Sequence, residues 1–152
     1  MVINLNPKWR QQTRIIRSGT PRSANNETSE PIYLTSGYVY KSPEEAESQF
    51  LGEKEGYIYS RYGNPTVKSF ELKLSEIEGC EKSIATSSGM AAVNASLMSI
   101  LNSGDHIISS RALFGSCRYI IEEILPRFGI EVTFVDGTDL KQWENAIKKN
   151  TV

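Results

Sequence analysis

The chain has 152 residues, a length typical of one domain and sufficient to bury an apolar core. Hydrophobic residues make up 39% of it and charged residues 23%, and no apolar run is long enough to cross a bilayer, so we expect no membrane partner. The 17 basic and 18 acidic side chains give a formal net charge of -1. A nucleic-acid surface needs a basic excess, so we expect a small molecule or another protein as the partner, and no nucleic acid.

The two cysteines, Cys80 and Cys117, lie far apart and do not form the spacing of a metal or redox site. We interpret both as reduced thiols of a cytoplasmic protein, and we expect no metal. The first 26 residues are basic, with no acid before Glu27, a bias that superficially resembles a transit peptide. We interpret this segment instead as a basic, partly helical arm that lies on another subunit.

The next segments carry clear helix signals. Residues 25–30 are predicted as a polar loop and residues 31–40 as extended, irregular structure. A short helix is predicted over residues 42–52, because Ser42 suits the N-cap and Gly52 can end the helix. A longer helix is predicted to follow Asn64 and to end at Gly79, since apolar residues recur at helical spacing between them.

From residue 83 onward, strand and helix patterns alternate. Strands are predicted over residues 83–88, 106–110 and 130–135, and helices over residues 90–101, 116–128 and 138–149, with another strand expected to begin near the end of the chain. Strands separated by helices of this length imply right-handed crossovers. The predicted fold class is therefore α/β, with a mostly parallel sheet between helices.

The turn after the first predicted strand has the chemistry of an anion site. It reads "SSGM" from Ser87 to Met90, and the helix that follows offers free N–H groups and a positive dipole end. Phosphate suits such a site, although the same residues also make a good helix cap. Neither a P-loop nor a dinucleotide fingerprint is present.

Three strings together resemble one family of enzymes. "YSRYGNPT" (59–66), "ATSSGMAA" (85–92) and "RALFG" (111–115) follow each other as in the pyridoxal-phosphate (PLP) enzymes of cysteine and methionine metabolism. The resemblance extends from residue 13 to the end of the chain. It implies the first part of the major domain of the aspartate-aminotransferase-like fold (fold type I), with residues 1–60 as an arm that contacts the neighbouring subunit and residues 61–152 as an incomplete cofactor domain.

The resemblance also implies which residues bind PLP. Tyr59 and Arg61 match a tyrosine and an arginine that bind the cofactor phosphate in the neighbouring subunit, where a guanidinium fork suits phosphate geometry. Gly89 and Met90, with Ser88 beside them, match the backbone that receives the phosphate of the subunit's own cofactor. The resemblance thus implies a homo-oligomer, and a tetramer in particular, whose sites need two chains. Tyr62 is interpreted as interface surface without ligand contact.

Phe114 departs from the pattern of most of this family, which has a tyrosine stacked on the cofactor ring there. A phenyl ring keeps the stacking face but cannot move protons. The "LFGS" string resembles the branch that acts on O-succinylhomoserine and sulfide. The alternative is that Phe114 packs away from the cofactor altogether.

No catalytic residue is expected within the chain. The family's Schiff-base lysine lies in a Ser-x-Thr-Lys string that does not occur here, so it is expected beyond Val152, and the chain is expected to be an inactive N-terminal fragment. The only histidine, His106, has no nucleophile string to serve and is interpreted as structural.

The resemblance implies an activity for the parent enzyme, namely γ-replacement on a homoserine ester. The substrate would be O-succinylhomoserine or O-acetylhomoserine, and sulfide would give homocysteine, whereas cysteine would give cystathionine. A cystathionine or methionine lyase is the alternative within the family. A non-catalytic interaction module that pairs with full-length subunits is the alternative outside it.

Overall fold

The computed structural model describes residues 8–19 and 22–152, which divide into two compact units. The first unit extends to Ala85, and the second runs from Thr86 to Val152. The domain boundary between residues 60 and 61 stays a prediction, because a division into compact units does not test which residues contact a neighbouring subunit.

The first unit contains three helices joined by extended chain: α1 (Gln11–Arg17), α2 (Pro43–Phe50) and α3 (Pro65–Glu78). Helix α1 packs on α3, where an ion pair of 2.6 Å joins Arg14 to Glu76. The partly helical character predicted for the N-terminal arm is therefore present within the residues described.

The predicted helix boundaries in this unit have the expected chemistry. Ser42 Oγ accepts the N–H of Glu45 at 3.2 Å and caps α2. Gly79 follows α3 in the left-handed conformation, at φ 66°, which glycine adopts without steric cost. Helix α2 ends at Phe50, slightly before the predicted stop at Gly52.

The second unit has the predicted α/β pattern. Helix α4 (Gly89–Ile100) leads to strand β1 (His106–Ser110), and β1 pairs in parallel with strand β2 (Glu131–Val135). The chain after helix α6 (Leu140–Ala146) returns to the other side of β1, where the Val152 N–H donates to the carbonyl of His106 at 3.0 Å. The predicted parallel sheet is confirmed, and an isolated parallel bridge between His106 and Thr151 lies where a further strand is predicted to begin.

The crossover between the two strands is helical but irregular. Helix α5 (Gly115–Tyr119) continues as a π-helix (Ile120–Ile124) and a 3-10 helix (Leu125–Phe128). Pro126 has no N–H to donate to the preceding turn, so regular α-helical hydrogen bonding cannot continue past it. The apolar core of the unit lies between this segment and the sheet; its buried members are Leu101, Ile107, Ile120, Ile121, Leu125 and Ile130.

The strand predicted over residues 83–88 is wrong. Residues 83–86 are extended but unpaired within the described chain, and the side chain of Ile84 is 82% exposed. The Ala85 N–H donates to a carboxylate oxygen of Glu71 at 2.9 Å instead of to a neighbouring strand. A short run rich in β-prone residues forms a strand only when another strand supplies backbone partners, and the described residues supply none.

Candidate functional site

Arg61 contacts two phenol rings. Its Cζ is 5.2 Å from the ring centroid of Tyr59 and 5.2 Å from that of Tyr62, within the range of cation–π contact. The side chain is exposed, and no carboxylate of the described residues forms an ion pair with it. A guanidinium without an ion-pair partner can donate a pair of hydrogen bonds to an anion. The first unit thus brings Tyr59 and Arg61 together, as a shared role requires.

Tyr62 has a contact that sequence reasoning missed. Its ring is 72% exposed and lies over Arg61, so it orients a candidate ligand-binding side chain besides offering surface. The signal available in the sequence was the presence of Tyr59 two positions before Arg61 and of Tyr62 one position after it. Whether Tyr62 also lies at an interface stays a prediction.

The turn that carries these side chains is fixed by backbone hydrogen bonds. The carbonyl of Tyr59 accepts the N–H groups of Tyr62 at 2.8 Å and Gly63 at 3.2 Å. Tyr59 also forms an antiparallel bridge with Gly37, and the Ser60 N–H donates to the Ser36 carbonyl at 2.8 Å. The chain around Arg61 is therefore held against the extended segment 33–37.

The start of helix α4 has free donors. Ser88 is the N-cap, and its Oγ accepts the N–H of Ala91 at 3.1 Å. The N–H groups of Gly89 and Met90 belong to the first turn and have no acceptor within the described chain. A Cβ built on Gly89 would meet no atom within 4 Å, so the approach to these amides is open. A phosphate would accept hydrogen bonds from both amides, so this part of the chain fits that of PLP.

Phe114 lies at the N-cap of α5, and its side chain is 73% exposed. Its neighbour Leu113 packs against the apolar core, as does Met90 at the start of α4. The ring of Phe114 is therefore outside the core and presents an accessible aromatic face. This face suits stacking on a planar ligand.

His106 has a structural environment. It is fully buried at the first position of β1, and its Nδ1 and Nε2 lie 2.8 Å from the hydroxyl oxygens of Thr151 and Thr133. Burial lowers the pKa of His106, the charge of Lys148 lowers it further, and the charge of Glu131 opposes the shift. Both ring nitrogens are within hydrogen-bond distance of a hydroxyl, as a structural role requires. His106 is at the start of β1, whereas the chain continues to Phe114 from the other end of the strand.

Neither a metal centre nor a membrane span is present in residues 8–19 and 22–152. No three His, Cys, Asp or Glu side chains there are grouped so that they could hold a metal ion. None of the helices there is long and apolar enough to span a bilayer.

Comparison with known proteins places the chain in one family. The family model described as "Cys/Met metabolism PLP-dependent enzyme" matches residues 12–152. O-succinylhomoserine sulfhydrylase of Mycobacterium tuberculosis is 53% identical over 141 residues, which cover 93% of this chain and 35% of that protein. L-methionine gamma-lyase of Fusobacterium nucleatum is 41% identical over 144 residues, which cover 95% of this chain and 36% of that protein. The chain therefore spans about a third of the length of these relatives.

A solved structure supports the same relationship. A Campylobacter jejuni protein assigned as an O-acetylhomoserine (thiol)-lyase was crystallised with N'-pyridoxyl-lysine-5'-monophosphate. It superposes with a TM-score of 0.84 at 31% identity, over 94% of this chain and 34% of the other. The fold is therefore the N-terminal part of PLP-dependent fold type I, and the family's cofactor is PLP. The chain belongs to the Cys/Met metabolism PLP-dependent enzyme family.

Proposed function

We propose that this chain forms the first part of the cofactor domain of an enzyme that makes homocysteine from O-succinylhomoserine and sulfide, in the cytoplasm. The observation that carries the proposal is the 53% identity with the O-succinylhomoserine sulfhydrylase over nearly the whole chain. Because the chain spans about a third of that protein, the activity is proposed for the longer enzyme.

Two sets of residues are proposed to bind the phosphate of PLP. Gly89 and Met90 offer backbone N–H groups at the start of α4, and Ser88 offers a hydroxyl beside them. Arg61 and Tyr59 are proposed to bind the phosphate held by a neighbouring subunit, so each site would need two chains of a homo-oligomer, a tetramer in particular. Arg61 suits this role because its guanidinium is exposed and its planar fork of donors matches the geometry of a phosphate.

Phe114 is proposed to cover one face of the cofactor ring. When bound, PLP stabilises negative charge that develops on the substrate carbon. Phe114 has no hydroxyl, so it excludes water and limits ring movement without taking part in proton transfer. Proton transfer would then fall to a lysine outside these 152 residues, since none of the chain's lysines lies in the family's Ser-x-Thr-Lys string.

Elimination is the second candidate activity. The 41% identity with L-methionine gamma-lyase favours it specifically, because that protein has the same family segment. Replacement needs an added thiol, whereas elimination releases an oxo acid and ammonia without one. The use of O-acetylhomoserine in place of the succinyl ester is a variant of the first proposal.

Product analysis of the full-length enzyme separates these candidates. We expect homocysteine from O-succinylhomoserine and sulfide at a higher kcat/KM than from the acetyl ester, and little oxo acid from methionine. Phe114→Tyr should keep the activity within about tenfold, or roughly 1.4 kcal/mol, while Phe114→Ala should lose more because the ring face is removed. Oxo acid as the main product would support the lyase instead. The 152-residue chain alone serves as the control and should form no homocysteine.

A further inference from the structure

Asn64 joins three parts of the first unit through one side chain. Its Oδ1 accepts the N–H of Thr66 at 2.8 Å, which caps α3. Its Nδ2 donates to the carbonyl of Tyr33 at 3.0 Å and to Oγ of Ser60 at 3.0 Å. Asn64 is only 8% exposed, so these hydrogen bonds are largely shielded from water.

The extended segment 33–37 is bound to the Arg61 turn by further hydrogen bonds. The Tyr33 N–H donates to Oγ1 of Thr66 at 2.9 Å, and the Tyr33 carbonyl accepts from Asn64. Both backbone groups of Tyr33 are therefore bonded to the start of α3. The Ser60 hydroxyl donates to the Thr35 carbonyl. Residues 60 and 64 are thus both fixed, and they lie on either side of Arg61.

The position of Arg61 depends on this network because its own side chain has few contacts. Within the described chain its guanidinium contacts the two phenol rings of the same turn, and Tyr59 and Tyr62 are themselves exposed. Among the described residues of the first unit, Pro65 next to the turn is buried, and the other buried residues are polar. The backbone between residues 60 and 64 therefore determines where the guanidinium points.

We propose that Asn64 is a positioning residue that holds Arg61 and Tyr59 in the orientation needed to bind the cofactor phosphate of the neighbouring subunit. This inference rests on the proposed phosphate role of Arg61. The carboxamide is suited to the task because it accepts from the helix amide and donates two hydrogen bonds at once. Aspartate would cap α3 equally well but could not donate to Tyr33 or Ser60.

Asn64→Asp in the full-length enzyme is consequently the sharp test. It keeps the cap on Thr66, removes both donated bonds and places a carboxylate against the Tyr33 carbonyl. We expect the affinity for PLP, measured by equilibrium dialysis of the apoenzyme, to fall about tenfold, or roughly 1.4 kcal/mol. Amide hydrogen exchange of Ser60 in the apoenzyme should become faster. Ser42→Ala removes the cap of α2, whose hydrogen bond is to Glu45 and not to the residues of this network, and it should leave PLP affinity unchanged.

A double-mutant cycle distinguishes positioning from a general loss of stability. If Asn64 acts through Arg61, Asn64→Asp should cause no further loss of PLP affinity in an Arg61→Ala background. An equal loss in both backgrounds would overturn the inference. Ser60→Ala removes one acceptor of Asn64 and should show a smaller loss with the same dependence on Arg61, which provides the test if Asn64→Asp does not fold.

The two failures are distinguishable. Unchanged PLP affinity in Arg61→Ala would refute the proposed phosphate role of Arg61, and with it the inference. A large loss in Arg61→Ala together with unchanged affinity in Asn64→Asp would refute the inference about Asn64 alone and leave the proposed function standing.

Discussion

The two units of this chain are stabilised in different ways. Among the described residues, every buried hydrophobic side chain, from Leu101 to Val135, lies in the second unit. In the described part of the first unit the buried residues are Pro65 and four polar residues, namely Ser18, Asn64, Ser69 and Ser75. Apolar burial stabilises a fold without regard to direction, whereas hydrogen bonds contribute about 1 kcal/mol each and only at defined geometry.

The two units therefore support their candidate phosphate-binding residues in different ways. The second unit contains the turn at Gly89 on a helix that is supported by a core. The first unit contains Arg61 on a turn that is supported by hydrogen bonds, and it exposes Ile32, Leu34 and Val39 by 74%, 94% and 99%. Such exposed apolar chain is typical of surface that another molecule covers, which agrees with the proposed contact with a neighbouring subunit.

The largest expected effect follows from truncating the core of the second unit. Leu125 is fully buried, so Leu125→Ala should destabilise this unit by about 2–5 kcal/mol through lost burial and a cavity. Native-state hydrogen exchange should show the loss at the amides of β1 and β2. Leu140→Ala, at a side chain that is 80% exposed, is the control and should change little. Equal loss of protection at the Ser60 amide would show that the effect is not confined to the second unit.

A pair of glycines in the first unit tests how much its packing contributes. Gly19 and Gly79 have similar φ angles, 63° and 66°, but a Cβ on Gly19 would lie 2.5 Å from the carbonyl oxygen of Ser69, while one on Gly79 meets nothing within 4 Å. Gly79→Ala should cost about 1–2 kcal/mol from backbone strain alone. Gly19→Ala should add about 1–3 kcal/mol of overlap and separate α1 from α3. Equal thermal unfolding shifts for the two variants would show that this packing contributes nothing.

The smallest expected effect is a pH dependence at His106, a buried polar residue of the second unit. Because burial lowers its pKa in the folded state, the unfolded chain binds the proton more readily. Stability should be full above the unfolded pKa of about 6.5 and should fall as pH decreases below it, by at most about 1.4 kcal/mol per pH unit. Urea unfolding between pH 7.5 and 5.5 measures this slope. His106→Gln should lack it, and a slope that persists in that variant would assign it to another group.

Much of the fold was predictable because its signals are local. Asn64 and Gly79 mark the two ends of α3 through capping by neighbouring residues, and Ser42 likewise caps the start of α2. The alternation from residue 83 onward predicted the parallel sheet, since helices between strands leave few other arrangements, although its first strand over residues 83–88 is wrong. The residues proposed to bind PLP came from the three strings that resemble the family, and their roles stay predictions.

Other features depend on partners that are distant in the sequence, and only the tertiary structure decided them. Residues 83–86 have β-prone character but no neighbouring strand within the described chain, so they stay unpaired. The hydroxyls that bind His106 come from Thr133 and Thr151, and no spacing rule predicts them. The carboxamide of Asn64 shows both cases. Its hydrogen bond to Thr66 is local and was determined by the sequence, whereas its hydrogen bond to Tyr33 joins residues that are 31 positions apart. Local bonds form with little loss of chain entropy, while distant ones require the fold to be in place first.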